Sequence, residues 1–148
     1  MGDPQHRSSW AQRATADLAA AGLRAGGARA AVVELLDRQQ CALSAIEIED
    51  ALRDGGGRAV ARASVYRILE ELERLHLVTR VQVGQGVARF EAARDHHHHH
   101  MVCDTCGDVV PFEDPELERS IRRLSGRVAF DVREHDVVLH GACDDCRR

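Results

Sequence analysis

The chain contains no lysine, so all 20 of its basic residues are arginine. Arginine's planar fork is the better donor to phosphate and to base edges, but genomic base composition can produce the same bias, so it identifies no ligand. No run of 18 apolar residues occurs, which excludes a membrane-spanning helix of ordinary length. From Met1 to Trp10, where a signal peptide would place its apolar stretch, the chain carries polar and charged groups. The expectation is a cytoplasmic protein without membrane association. The HExxH signature of many zinc hydrolases is missing, and the one internal repeat is a duplicated CxxC pair.

What is present is ordinary for a globular protein: 148 residues, 44% hydrophobic and 30% charged, enough for one medium domain or two small ones. A chain of this length buries about 70% of its unfolded surface. The net charge of -4 conceals an asymmetry. Residues 1–94 carry 13 arginines against 12 acids, whereas residues 95–148 carry 7 against 12.

Apolar residues recur at helical spacing over 9–23, 27–38, 44–54 and 62–77. In the last segment Val65, Ile68, Leu72 and Leu75 form one stripe, with Ser64, Arg67, Glu71 and Arg74 expected to face outward. Residues 78–83 then alternate, Gly84-Gln85-Gly86 turns, and residues 87–91 return as a second strand. Helices followed by a hairpin are the order of a winged helix-turn-helix. A small α+β domain with no nucleic-acid role has the same order. The second half reads as a histidine-rich strand, a CxxC, a strand over 108–112, a helix over 115–124, a strand over 128–140 and a second CxxC. The boundary is expected within Ala92-Ala93-Arg94-Asp95.

Cys103, Cys106, Cys143 and Cys146 form two CxxC pairs, a spacing that suits tetrahedral zinc in a reducing compartment. Four cysteines leave no open coordination position, so such a zinc is structural. The run His96 to His100 leads directly into Cys103 and reads as a strand, in which alternate side chains share a face. His97 and His99 then point one way, and His98 and His100 the other. Glu118 and His135 are candidates to complete the first set, and Glu91 the second; imidazole with carboxylate suits zinc, iron, manganese or nickel. Taken singly, Glu118 and His135 also read as solvated residues.

The segment Ala63-Ser64-Val65-Tyr66-Arg67-Ile68-Leu69, the run His96 to Gly107, His135 and the terminal CxxC together resemble the ferric uptake regulator family over about residues 20–147. The resemblance implies a dimeric bacterial repressor that binds double-stranded operator DNA when loaded with metal. It implies an α+β protein, with a winged helix-turn-helix domain over 1–92 and an α/β dimerisation domain over 93–148 stapled by a four-cysteine zinc site. It assigns Cys103, Cys106, Cys143 and Cys146 to structural Zn2+, and His97, His99, Glu118 and His135 to a site in the dimerisation domain. A regulatory site falls to Glu91, His98 and His100, with Zn2+ or Fe2+ expected and Mn2+ and Ni2+ as further candidates.

The family's usual histidine before the third helix is missing from Gln39-Gln40-Cys41-Ala42-Leu43-Ser44, leaving Cys41 as the substitute ligand or as a small packing residue. At the place of His99 many iron-responsive members have Asp, and the all-imidazole version is more like zinc-responsive ones. Pro111 is a further departure, standing where some members have an acidic ligand. Against a simple zinc sensor, Ala92 and Ala93 stand where that branch often has a cysteine. On DNA the resemblance nominates Tyr66 and Arg67, Ser64 toward a phosphate, Arg24 toward the minor groove, and Arg29. A solvated basic face is the bland alternative for the arginines. The expected function is repression of metal-uptake or homeostasis genes. A peroxide- or other-metal-sensing member of the family is the alternative, and a zinc hydrolase or a metal-buffering protein the rival from another class.

Overall fold

Local sequence signals explain where the helices begin. In the computed structural model, which describes residues 9–83, 87–94 and 97–148, Ser9 and Gln12 form a capping box at the start of α1 (Trp10–Ala20). α2 (Ala28–Arg38) follows. Ser44 and Glu47 form a second box, with Ser44 N donating to Glu47 Oε2 at 2.7 Å, and open α3 (Ala45–Asp54). Each box satisfies amide groups that a helix start leaves without partners. α4 (Arg62–Arg74) comes next, then a hairpin of β2 (Val78–Val83) and β3 (Val87–Ala92). The short β1 (Leu43–Ser44) pairs with β3, giving the order β1-β3-β2. This is a winged helix. The expected turn at Gly84-Gln85-Gly86 and the expected strand start at His96 lie outside the described residues.

One apolar cluster holds these elements together. Leu18 of α1, Val32 and Leu36 of α2, Ile48 of α3 and Leu69 of α4 are among its fully buried members. Trp10 is buried too, and its indole Nε1 donates to the Leu77 carbonyl at 2.9 Å, pinning α1 to the start of β2. The buried stripe of α4 is Val65, Ile68, Leu69 and Leu72. Leu75, expected on it, is only partly buried because α4 has already ended: His76 takes a left-handed φ of 56° and Leu77 N bonds back to the Leu72 carbonyl. Glu71, expected outside, is turned inward, where Arg29 of α2 meets it. α1 stops at Ala20, before the expected end, because the chain turns through Gly22 at φ 77°.

The chain divides after Arg94. In the second unit β4 (His99–Cys103) is the central strand of the order β5-β4-β6, with β5 (Val109–Phe112) antiparallel and β6 (Val138–Gly141) parallel to it. Asp114 caps α5 (Pro115–Arg127), its Oδ1 accepting from the amides of Glu116 and Leu117. The strand expected over 128–140 forms only at Val138–Gly141. Residues 130–137 have no ladder partner among the described residues, and Val128, Phe130 and Val132 are 61%, 67% and 37% exposed. Among the described residues no helix is long and apolar enough to cross a membrane.

Leu69 is fully buried at the centre of the first unit. Leu69→Ala should cost about 2–5 kcal/mol of stability, read as a lower urea midpoint by fluorescence of Trp10, the only tryptophan.

Candidate metal centres and nucleic-acid interface

The parallel pairing of β4 with β6 decides where the cysteines meet. Its register sets Cys103 opposite Gly141, so the turn after β4 and the turn after β6 lie side by side. Both are tight: Gly107 N donates to the Cys103 carbonyl at 2.8 Å, with Gly107 at φ 81°, and Cys146 N donates to the Cys143 carbonyl at 3.0 Å. The four Sγ atoms of Cys103, Cys106, Cys143 and Cys146 all lie within 4.8 Å of one another, with Cys106 and Cys143 at 3.8 Å. Ligands about 2.3 Å from a central ion stand about 3.8 Å apart at the corners of a tetrahedron, so the donor set fits zinc.

The protons of the cluster are unevenly held. Backbone amides at Cys106 and Cys143 hold the Cys103 thiol down to about 6. An Asp108 amide also favours the Cys106 thiolate, but hydrogen bonding to Cys103, burial and hydrogen bonding to Cys143 together push that thiol up to about 12. Hydrogen bonding to Cys143 raises Cys146 as well. One thiolate is thus stabilised while neighbours keep their protons, and a dication is what allows the rest to ionise.

A second cluster lies at the other end of β4. His99 Nε2 is 2.6 Å from Glu118 Oε1, His135 Nε2 is 3.0 Å from Glu118 Oε2, and the Nε2 atoms of His97 and His135 are 3.0 Å apart. His99 is fully buried, whereas His97 is exposed. Each element has a distinct role: β4 carries His99, α5 brings Glu118 in its first turn, and the segment before β6 brings His135. Hydrogen bonding from His99, and then from His135, holds the Glu118 carboxyl below its ordinary value. Burial, and then the nearby His135, lowers His97. The carboxylate is therefore charged and His97 neutral near pH 7, the forms in which both are ligands.

His98 and His100 stand apart from this cluster, their rings 5.0 Å apart between centroids, and His100 is buried. In the first unit Glu91 lies on β3 opposite Thr79, and Cys41 is half-buried in the loop between α2 and β1.

The remaining expected residues belong to the winged helix. On α4 Tyr66 is 46% exposed, Arg67 is exposed and Ser64 is half-buried; Arg24 is exposed in the loop before α2. Arg29, at the start of α2, is half-buried and turned toward α4. Its Nε and Nη2 donate to the two carboxylate oxygens of Glu71 at 2.7 and 2.9 Å, and its Nη1 to the Arg24 carbonyl at 3.4 Å. Periodicity missed Glu71 as a member of this region because it sits at the margin of the apolar stripe, and the only available signal was its position one turn after Arg67.

The profile of the Ferric uptake regulator family matches residues 20–140. The ferric uptake regulation protein of Vibrio anguillarum is 33% identical over 126 residues, covering 84% of this chain and 84% of that protein. The crystal structure of the Vibrio cholerae ferric uptake regulator is 32% identical with a TM-score of 0.79, covering 87% of this chain and 98% of that one. The structure of the Helicobacter pylori ferric uptake regulator, described as having three functional metal binding sites, is 28% identical with a TM-score of 0.83 and covers 100% of this chain and 98% of that one.

Two outcomes follow from the clusters. Cys143→Ser should remove about one tightly held zinc per chain and unfold the second unit, measured by metal content and circular dichroism; full zinc content in a folded variant would refute a four-cysteine centre. At the His97, His99, Glu118 and His135 cluster, protons compete with metal for imidazole. Because burial and the nearby His135 hold His97 below its ordinary value, metal affinity should stay nearly level from neutral pH to below about pH 6.5, the ordinary imidazole value, and fall on further acidification as protons take His97, read by competition with a chromogenic chelator.

Proposed function

The chain belongs to the ferric uptake regulator family, and on that premise we propose that it is a metal-dependent, DNA-binding transcriptional repressor of metal-uptake or homeostasis genes. The observation that carries this reading is the presence in one chain of a winged helix exposing Tyr66 and Arg67 and a separate unit in which His97, His99, Glu118 and His135 converge. A rival zinc hydrolase would need a base near its metal, and Glu118 is already engaged by His99 and His135. A metal buffer would leave the exposed face of α4 without a role.

Three sets of ligands are proposed. The four cysteines take structural Zn2+, and His97, His99, Glu118 and His135 take a second ion. The third set, Glu91, His98 and His100 with Cys41 as a further candidate, is assigned on strand alternation and the family resemblance. A bound divalent cation supplies positive charge and a cross-link among these donors. Imidazole and carboxylate fit Zn2+ or Fe2+, with Mn2+ and Ni2+ also within their range.

Arg67 would fork onto guanine or phosphate, Tyr66 would pack on a thymine methyl, Ser64 would bond a phosphate and Arg24 would reach the minor groove. A second copy of the chain supplies the partner: Val128, Phe130 and Val132 form an exposed apolar alternation that an equivalent segment can cover. Two recognition helices held at one spacing then read successive major grooves. Metal loading and DNA binding favour each other reciprocally, by about 1–3 kcal/mol in typical coupled systems.

The deciding experiment is DNA binding titrated with Zn2+, Fe2+, Mn2+ and Ni2+ at buffered free concentrations. Metal-independent affinity would overturn the repressor reading. Arg67→Ala should weaken binding by about 1–3 kcal/mol with metal content and dimer mass unchanged. His100→Ala should abolish the metal response of DNA binding, whereas His97→Ala should mainly loosen the dimer and lower metal stoichiometry; identical phenotypes would refute two separate histidine sites.

A further inference from the structure

Arg67 and Glu71 are four residues apart on α4, the spacing at which arginine and glutamate pair along a helix surface. Such a pair would lay the Arg67 fork along the helix, away from a groove. Among the described residues, however, Arg67 enters no ion pair within 4.0 Å, and Glu71 is engaged from the other side. Both carboxylate oxygens accept from Arg29, at 2.7 and 2.9 Å, with the two side chains 21% and 11% exposed. This bidentate geometry is the strongest that a carboxylate and a guanidinium form.

The placement of α4 does not require this pair. Val65, Ile68, Leu69 and Leu72 are each at most 1% exposed, and burying four such side chains outweighs one partly exposed ion pair several-fold. What the apolar contacts cannot do is occupy the acceptors of Glu71. With Arg29 absent, the buried carboxylate would keep only Arg67 and Arg74 of its own helix as cationic neighbours, and so would draw Arg67 toward itself and away from the phosphates of a bound duplex.

We propose that Arg29 is a positioning residue for DNA recognition, which keeps Arg67 free by occupying both oxygens of Glu71 and does not itself donate to DNA. The proposal rests on the DNA-binding reading above.

The test uses the full-length, metal-loaded protein and a duplex enriched from a random library by the wild type, with affinity measured by fluorescence anisotropy across several salt concentrations. Arg29→Ala should bind about tenfold more weakly. Adding Glu71→Gln to that variant should restore affinity to within about twofold of wild type with an unchanged salt slope, and Glu71→Gln alone should bind no more weakly than wild type. If Arg29→Ala does not fold, Arg29→Lys, which keeps the charge but covers one oxygen, should show a smaller loss that Glu71→Gln again reverses. A direct phosphate contact by Arg29 would leave the double variant as weak as the single one, with about one unit less salt slope; that overturns the proposal. So would a loss in Glu71→Gln alone equal to that of Arg29→Ala, which would mark the pair as a scaffold. Wild type that enriches no duplex would overturn the DNA-binding reading itself, and this proposal with it.

Discussion

The second unit cannot rest on hydrophobic burial. Its only buried apolar residues among those described are Val102 and Cys103, α5 buries none, and the apolar cluster of the protein lies in the first unit. A unit of this size with so little core needs another source of free energy, and ligation or association are the usual ones. The β4–β6 register provides the first by bringing four sulfurs within 4.8 Å. The apolar alternation left open before β6 invites the second. Loss of the register would scatter both metal clusters together, since β4 carries His99 at one end and Cys103 at the other.

This arrangement makes stability a matter of mass action. Whatever binds the folded second unit and not the unfolded chain adds to its stability in proportion to the logarithm of its free concentration. The charge asymmetry works in the same direction: the five excess acids over arginines in residues 95–148 repel one another until cations are bound. On the proposed assignment, the metal response and the folding of this half of the chain would draw on the same side chains. The first unit, by contrast, holds itself together with a core that needs no metal.

What could be read from the sequence follows from how local each signal is. The two CxxC pairs, the capping residues Ser9, Ser44 and Asp114 and the alternation of His97 and His99 depend on neighbours a few positions away, and the amino-acid order displays them. The strand expected over 128–140 is shorter for the opposite reason: Val128, Phe130 and Val132 have the period of a strand, but α5 runs on to Arg127, Val128 caps it and Ala129 turns through a left-handed φ of 50°, a helix end closed by the Val128 to Leu124 and Phe130 to Ser125 hydrogen bonds. Glu71 was illegible because its inward turn depends on Arg29, 42 positions away. Leu75 was misplaced because the left-handed turn at His76 is a tertiary feature, closed by the Leu77 to Leu72 hydrogen bond.

The nearly neutral first unit bears on how it can recognise a polyanion. Thirteen arginines against twelve acids generate little net field, so long-range attraction contributes less here than in a strongly basic domain. Many of those arginines are also engaged internally: Arg29 with Glu71, Arg62 with Glu49, Arg89 with Glu47 and Arg94 with Asp37. Affinity must then come from a few cations left uncommitted at the right place, and each acid near them matters as much as each base. In such a domain the internal ion pairs do more than stabilise the fold, because they decide which guanidinium groups remain available to a nucleic acid.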